Sequence, residues 1–261
     1  FITKPYNVRI VKSRIDSVIK LRESSMTLAA IEKDELTGLY TRQAFYHHAR
    51  TFTHFMTEEK FNVVILDVAD FKLINGTYGT KKGNEVLVYL SNAFRYYVKN
   101  GLLTRYEGDQ LLGLFHSKVK MDVERINRNI NKIAEEAPIP NIRIKVGIYE
   151  DIDTSLSIPI ICDRALMAEK SISKDFKTNV AFYTDEMNQK QLAQRQMEND
   201  FKSAIANREF KVYYQPKYDV NTENIVGAEA LVRWQKPDGT LISPGAFIPL
   251  FESDGLVVHL D

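Results

Sequence analysis

Residues 102–115 read Leu102-Leu103-Thr104-Arg105-Tyr106-Glu107-Gly108-Asp109-Gln110-Leu111-Leu112-Gly113-Leu114-Phe115, and this stretch decides the fold of the larger part of the chain. Two apolar, strand-like runs flank a short polar tip, Glu107-Gly108-Asp109. The pattern predicts a β-hairpin with its acidic tip in solvent and Gly108 supplying the positive φ of the turn. Upstream, Phe61-Asn62-Val63-Val64-Ile65-Leu66-Asp67 is a second apolar run that ends in a carboxylate. A strand that delivers Asp67 beside the hairpin tip supplies oxygen ligands of the kind a metal-phosphate site requires.

Outward from the hairpin, helical and strand periodicities alternate. Residues 45–56 read as a helix and 61–68 as a strand. Residues 82–98 carry Val86, Leu87, Leu90, Phe94 and Val98 on one helical face. Residues 121–137 read as a helix that stops before Pro138 and Pro140. Residues 142–149 alternate as a strand, 160–171 form a helix and 180–183 a last short strand. The order predicts an α/β (α+β) fold, an antiparallel or mixed sheet flanked by helices. Before it, Val8, Val11, Ile15 and Val18 make a helical stripe within residues 6–33, expected to be a signalling helix. After it, a charged, glutamine-rich stretch at 187–200 reads as a linker. Two strands, 210–218 and 225–234, and a final loop and helix follow. They make too small a core for a finished domain. The expected organisation is 1–33, 34–186, 187–200 and 201–261.

Composition narrows the function. The formal net charge is +1, from 35 basic and 34 acidic residues, which gives no bulk attraction to nucleic acid or to an anionic membrane. The single cysteine, Cys162, forms no intrachain disulfide and no cysteine-rich zinc site, and the five histidines lack ligand spacing. No run is long and apolar enough for a membrane span and no signal peptide is visible, so a cytoplasmic protein is expected. The chain begins without Met and ends inside an apolar stretch, which reads as a piece cut from a longer protein.

Several spaced motifs carry a family resemblance. Asp34-Glu35-Leu36-Thr37-Gly38-Leu39-Tyr40-Thr41-Arg42, Leu66-Asp67-Val68-Ala69-Asp70-Phe71-Lys72-Leu73-Ile74-Asn75, Tyr78-Gly79, Gly83 and Cys162-Asp163-Arg164-Ala165-Leu166 resemble GGDEF domains, the diguanylate cyclase family. The resemblance implies a ferredoxin-like core of five strands. It also implies a reaction that joins two GTP molecules across a dimer, with divalent metals neutralising the phosphates. Asp67 matches a metal ligand, Asn75 and Asn84 fall at the guanine contacts, and Lys170 falls at a phosphate contact. The chain departs from the family at the signature, where Glu107, Gly108, Asp109, Gln110 and Leu111 stand for Gly-Gly-Asp-Glu-Phe. Gln110 brings no charge to a metal, and Glu107 adds bulk and repels phosphate. Asn84 replaces an Asp, Ala69 an acid and Thr80 a His. Ser173-Lys174-Asp175 stands where the family has Gly-Arg-Asn. Val98-Lys99-Asn100-Gly101 lacks the Arg-x-x-Asp product-inhibition motif. The expectation is a catalytically degenerate domain.

A second resemblance covers the last third of the chain. Tyr214-Gln215-Pro216, Gly227-Ala228-Glu229-Ala230-Leu231-Val232-Arg233-Trp234, Ser243-Pro244 and Phe247-Ile248-Pro249-Leu250 are similar to the opening of EAL domains, cyclic di-GMP phosphodiesterases on a modified TIM barrel. The resemblance makes Glu229 a ligand of Mg or Mn and assigns substrate contacts to Gln215 and Arg233. The remaining catalytic residues would lie beyond Asp261. Phe1 to Pro5 resembles the end of a response-regulator receiver domain. Together these readings predict a cyclic di-GMP signalling protein. Its GGDEF-like part would sense GTP or another nucleotide, or dimerise through itself or the N-terminal helix, and regulate a phosphodiesterase. The alternative is a non-enzymatic scaffold with both domains inactive. An active cyclase is opposed by Gln110 and Glu107.

Overall fold

The computed structural model describes residues 32–55, 60–116, 120–172 and 178–260. The expected signalling helix falls almost wholly outside these residues, as do Phe1 to Pro5 and Ser173-Lys174-Asp175. The chain divides into two units, Phe1–Thr184 and Asp185–Asp261.

The first unit is built on its most apolar run. Strand β2 (Phe61–Val68) follows a two-residue strand β1 (Tyr40–Thr41) and helix α1 (Arg42–Phe55). Phe61, Val63 and Ile65 enter one core cluster, while Val64, Leu66 and Val68 enter another. A strand covered on both faces is necessarily an almost unbroken apolar run. Two helices, α2 (Phe71–Tyr78) and α3 (Thr80–Tyr97), lead to the hairpin strands β3 (Leu102–Glu107) and β4 (Gln110–His116). Helix α4 (Val123–Glu135), strand β5 (Ile144–Tyr149), helix α5 (Ile158–Ser171) and strand β6 (Val180–Phe182) complete the unit. The sheet order is β1-β3-β4-β2-β5-β6, mixed, with β2 antiparallel to both β4 and β5. Its inner four strands have the ferredoxin-like order expected, and among the described residues six strands are paired rather than five.

Element boundaries differ from expectation mainly by one to three residues. Among the helices of this unit the exception is α2, where the sequence offers motif residues but little helical stripe, and no residue of that helix is buried. Asp70 precedes it in the left-handed region at φ 55°, with its carbonyl accepting from the N–H groups of Leu73 and Ile74. That tight turn redirects the chain immediately after Asp67.

The second unit opens with helix α6 (Asp185–Ala206), so the stretch read as a linker is helical. Apolar residues are sparse along its first half, and only Phe201 and Ala204 are buried. Strands β7 (Phe210–Tyr218), β8 (Ile225–Gln235) and β9 (Leu241–Ile242) form an antiparallel sheet, followed by helix α7 (Pro244–Ser253) and a 3₁₀ turn at Leu256–His259. Phe201, Ala204, Trp234, Phe247 and Phe251 make its core. The Trp234 indole N–H donates to Glu209 Oε2 at 2.9 Å, which satisfies a polar group that burial would otherwise penalise.

Candidate functional site

Asp67 is the next-to-last residue of β2, and side chains alternate along a strand, so it faces the same side as Val63 and Ile65. That side is covered by α5. Directly across on β5, Asp67 pairs with Lys145. On the other neighbour the register runs to Leu66 opposite Leu111, which puts Gln110 at the level of Asp67. Leu112 shares the core cluster of Ile65, so Gln110, two residues before it, shares that face too. Three adjacent strands therefore present an amide, a carboxylate and an ammonium in one row.

A fourth group comes from α5. Lys145 Nζ lies 3.1 Å from Asp67 Oδ2 and also donates to Glu169 Oε1. The side chains of Asp67, Lys145 and Glu169 are 15, 21 and 2% exposed. Gly147 explains the closeness of the helix. A Cβ there would lie 2.2 Å from the Ala165 carbonyl oxygen and 2.5 Å from the Glu169 N. Only a residue without a side chain lets α5 settle so near β5. Neither Lys145 nor Glu169 stands out in the sequence. One is a polar position in an alternating strand and the other a polar residue near a helix end.

The electrostatics follow from this packing. Burial works against the charge on Lys145, but its hydrogen bonds and ion pairs with Glu169 and Asp67 outweigh that and raise its pKa above the ordinary 10.5. Burial and the Asp67 charge push the Glu169 carboxyl up, with Lys145 pulling against them. Asp109 is also raised, first by burial and then by the Asp67 charge, with its own N–H and that of Val68 opposing. The expectation that the hairpin tip lies in solvent is thus corrected for Asp109. Glu107 and Gly108 are exposed, whereas Asp109 is half-buried because the two-residue turn folds it back towards the end of β2.

A divalent ion at Asp67 can be tested against this geometry. An ion about 2.1 Å from Asp67 Oδ2 would lie within about 5 Å of Lys145 Nζ, since that ammonium is itself 3.1 Å from the same oxygen. At an effective dielectric of about 20 the repulsion is about 6 kcal/mol or more. With Lys145 in place, the residues do not fit the metal that the family resemblance implies. Among the described residues, no group of three or more His, Cys, Asp or Glu side chains could hold a metal ion.

The remaining sequence-predicted residues of this unit are more dispersed. Asn75 on α2 leans against α3, where a Cβ on Gly83 would lie 2.0 Å from its Oδ1. Asn84 opens onto a shallow groove of about 400 Å³ lined with Leu36, Lys81, Glu85, Val88 and Tyr89. Lys170 is exposed in the last turn of α5, one residue past Glu169. The Glu107 carboxylate lies 3.6 Å from Arg42, both exposed. Arg105 braces the turn, donating to the Gly108 carbonyl at 2.8 Å and to Asp34 Oδ2 at 3.2 Å. Leu111 is fully buried.

In the second unit, Gln215 stands opposite Glu229 and Lys211 opposite Arg233. Phe210, Val232 and Trp234 belong to the core, so Gln215, Glu229 and Arg233 share the other face of the sheet. The Glu229 carboxylate is 55% exposed, 3.4 Å from Lys217 Nζ. Gln215 and Glu229 are thus direct neighbours, and Arg233 lies on the same face four residues further along β8.

Comparison with known proteins identifies the families of the two units. A family model described as the diguanylate cyclase, GGDEF domain matches residues 31–173, more than half of the chain. The chain belongs to the GGDEF family. The EAL domain model matches residues 198–261, so the GGDEF domain is followed by the start of an EAL domain. Among curated proteins, the GGDEF–EAL chain is 28% identical over 213 residues to the bifunctional diguanylate cyclase/cyclic di-GMP phosphodiesterase MucR of Pseudomonas aeruginosa, covering 78% of this chain and 30% of that protein. It is 28% identical over 240 residues to the cyclic di-GMP phosphodiesterase PdeR of Escherichia coli, covering 87% of this chain and 35% of that one. The chain spans about a third of the length of these relatives. Among solved structures, the Vibrio cholerae LapD S helix-GGDEF-EAL bound to c-di-GMP matches with a TM-score of 0.57 at 17% identity, covering 92% of this chain and 59% of that one. The coiled coil and GGDEF domain of DgcB from Caulobacter crescentus in complex with c-di-GMP matches with a TM-score of 0.52 at 19% identity, covering 67% and 97%. Both show the shared fold. No helix among the described residues is long and apolar enough to cross a membrane.

Proposed function

We propose that the GGDEF domain of this chain, residues 34–186, is a catalytically silent regulatory module, and that the complete protein hydrolyses cyclic di-GMP through its EAL domain. The observation that carries this reading is the row across β4, β2 and β5. Asp67 has the Gln110 amide on one side and the Lys145 ammonium on the other, and the nearby Glu169 carboxylate is already bound to Lys145. A cyclase must gather negative side chains around metal ions that neutralise a triphosphate. Here a resident ammonium already stands between the Asp67 and Glu169 carboxylates, and the neighbouring signature position is an uncharged amide. Asn75, Asn84 and Lys170 are the residues through which the module would sense GTP or another nucleotide, and it would dimerise through itself or through the helix before it.

In the EAL domain, Glu229 would hold a divalent cation of the Mg or Mn type, which polarises the phosphodiester. Arg233 offers a planar fork of donors to a phosphate, and Gln215 a further contact to the substrate. Glu229 is paired with Lys217 at 3.4 Å, but both side chains are more than half exposed, so water screens the pair and the ammonium can swing aside for a hard cation, unlike the buried Lys145 beside Asp67. The relative PdeR, whose name states the same activity, supports the reading. The intact Gln215–Glu229–Arg233 face favours it over a scaffold with both domains inactive.

The test incubates the protein with GTP and Mg²⁺, and separately follows cyclic di-GMP hydrolysis by the complete protein. The expected result is no cyclic di-GMP formed from GTP, and hydrolysis abolished by Glu229→Gln. Accumulation of cyclic di-GMP from GTP would overturn the silent-module assignment. Hydrolysis unchanged by Glu229→Gln would overturn the role of Glu229.

A further inference from the structure

We propose that the Lys145 ammonium is the resident cation of the Asp67 site, closing it to divalent metal. This goes beyond the regulatory reading, because it states what occupies the acidic end of the sheet and why no ion is taken up there. Three independent features converge. Register makes Asp67 and Lys145 direct partners on the adjacent strands β2 and β5, so their closeness is fixed by backbone pairing. Gly147 brings the backbone of α5 down on β5, and this delivers Glu169 to the same ammonium. Burial then holds the cluster together. Glu169 is 2% exposed and Lys145 21%, so Lys145 cannot turn to solvent without leaving a buried carboxylate unpaired beside another.

The chemistry of the three groups is complementary. An ammonium has three donors and no acceptor, and two of its directions are met by carboxylate oxygens of Asp67 and Glu169. A divalent ion supplies the same attraction to the same oxygens, so the two cations compete for one place. The protein's own cation is covalently tethered and always present. The site is therefore organised in the absence of any ligand, and Asp67 is not available as a metal ligand while Lys145 is charged.

The experiment is a Mn²⁺ titration of the full chain, followed by the loss of the free-ion electron paramagnetic resonance signal. The proteins are wild type, Asp67→Asn, Lys145→Ser and Lys145→Ser/Asp67→Asn. Subtracting the Asp67→Asn isotherm removes binding at Glu229 and other surface carboxylates. Wild type and Asp67→Asn should give superimposable isotherms. Lys145→Ser leaves Asp67 and Glu169 facing each other and should gain a site at least ~10-fold tighter, lost again in Lys145→Ser/Asp67→Asn. Saturable Mn²⁺ binding by the wild type that disappears in Asp67→Asn would overturn the proposal. So would a folded Lys145→Ser protein that binds no more Mn²⁺ than wild type. If Lys145→Ser does not fold, the comparison of wild type with Asp67→Asn still decides. None of these results bears on the EAL reading, which is judged by hydrolysis.

Discussion

Lys145→Met removes the cation from between two carboxylates and leaves the buried volume nearly unchanged. Glu169, 2% exposed, and Asp67, 15% exposed, then face each other with no compensating charge. Breaking a buried pair from one side costs about 3–5 kcal/mol, because the partner is stranded in a poorly solvated place. Here two partners are stranded, while partial exposure of Asp67 relieves some of the cost, so the expected loss near neutral pH stays at about 3–5 kcal/mol. Glu169→Gln should cost less, about 1–2 kcal/mol, since Lys145 keeps Asp67 at 3.1 Å. The two effects should not add. In Lys145→Met/Glu169→Gln the buried anion is gone as well, and a coupling energy of roughly 1–3 kcal/mol is expected. Urea unfolding of the first unit, followed by the near-ultraviolet circular dichroism of its tyrosines, reads this as a lowered midpoint at constant slope. Fluorescence of the sole tryptophan, Trp234 of the second unit, should not respond at the same midpoint. A loss below about 1 kcal/mol for Lys145→Met, or single effects additive within about 0.5 kcal/mol, would refute the buried cluster.

Three other outcomes follow from the same packing. The raised pKa of Lys145 contributes stability that is complete below the ordinary 10.5 and is lost as pH rises through the folded value. Alkaline unfolding should therefore be steeper in wild type than in Lys145→Met, as a pH series of urea midpoints would show. Asp34 is lowered from its ordinary 3.8 despite burial, because the hydroxyl and N–H of Thr37 donate to it and the Arg105 guanidinium lies beside it. Its contribution is present above that value and lost as pH falls through the folded one. Asp34→Ala should flatten acid unfolding there and cost about 1–2 kcal/mol at neutral pH. Gly147→Ala drives a methyl into the α5 backbone and should cost about 1–3 kcal/mol, with amide exchange on β5 and α5 accelerating before the rest of the unit. Unchanged exchange there would contradict the close approach.

The hairpin and β2 were legible in the sequence because their burial imposes a pattern on consecutive residues. An unbroken run marks a strand covered on both faces, and a polar tip between two runs marks its turn. The meeting of Asp67 with the hairpin tip was legible for the same reason. Helix α2 was not, since none of its residues is buried and it leaves no apolar stripe. Helix α6 was missed because its glutamine-rich first half carries few apolar positions, and its packing rests on Phe201 and Ala204 near the far end. The Lys145–Glu169 contact leaves no local trace at all. The partners are 24 positions apart, and each satisfies the ordinary alternation of its own element. Asp109 misled for a related reason, as a turn residue reads as solvated unless the neighbouring strand end is known to lie beside it.

Strand β2 is hydrogen-bonded on both sides, so the level at which Gln110, Asp67 and Lys145 meet cannot drift without slipping the whole sheet by a residue. The scaffold thus behaves as a rack with fixed slots, and the ion chemistry of the slot is written by side chains alone. Exchanging an amide for a carboxylate, or an ammonium for a hydroxyl, alters which cation resides there without asking the backbone to move. A fold of this kind can change from handling ions to excluding them by one or two substitutions, with its outline, and whatever docks on that outline, left as before.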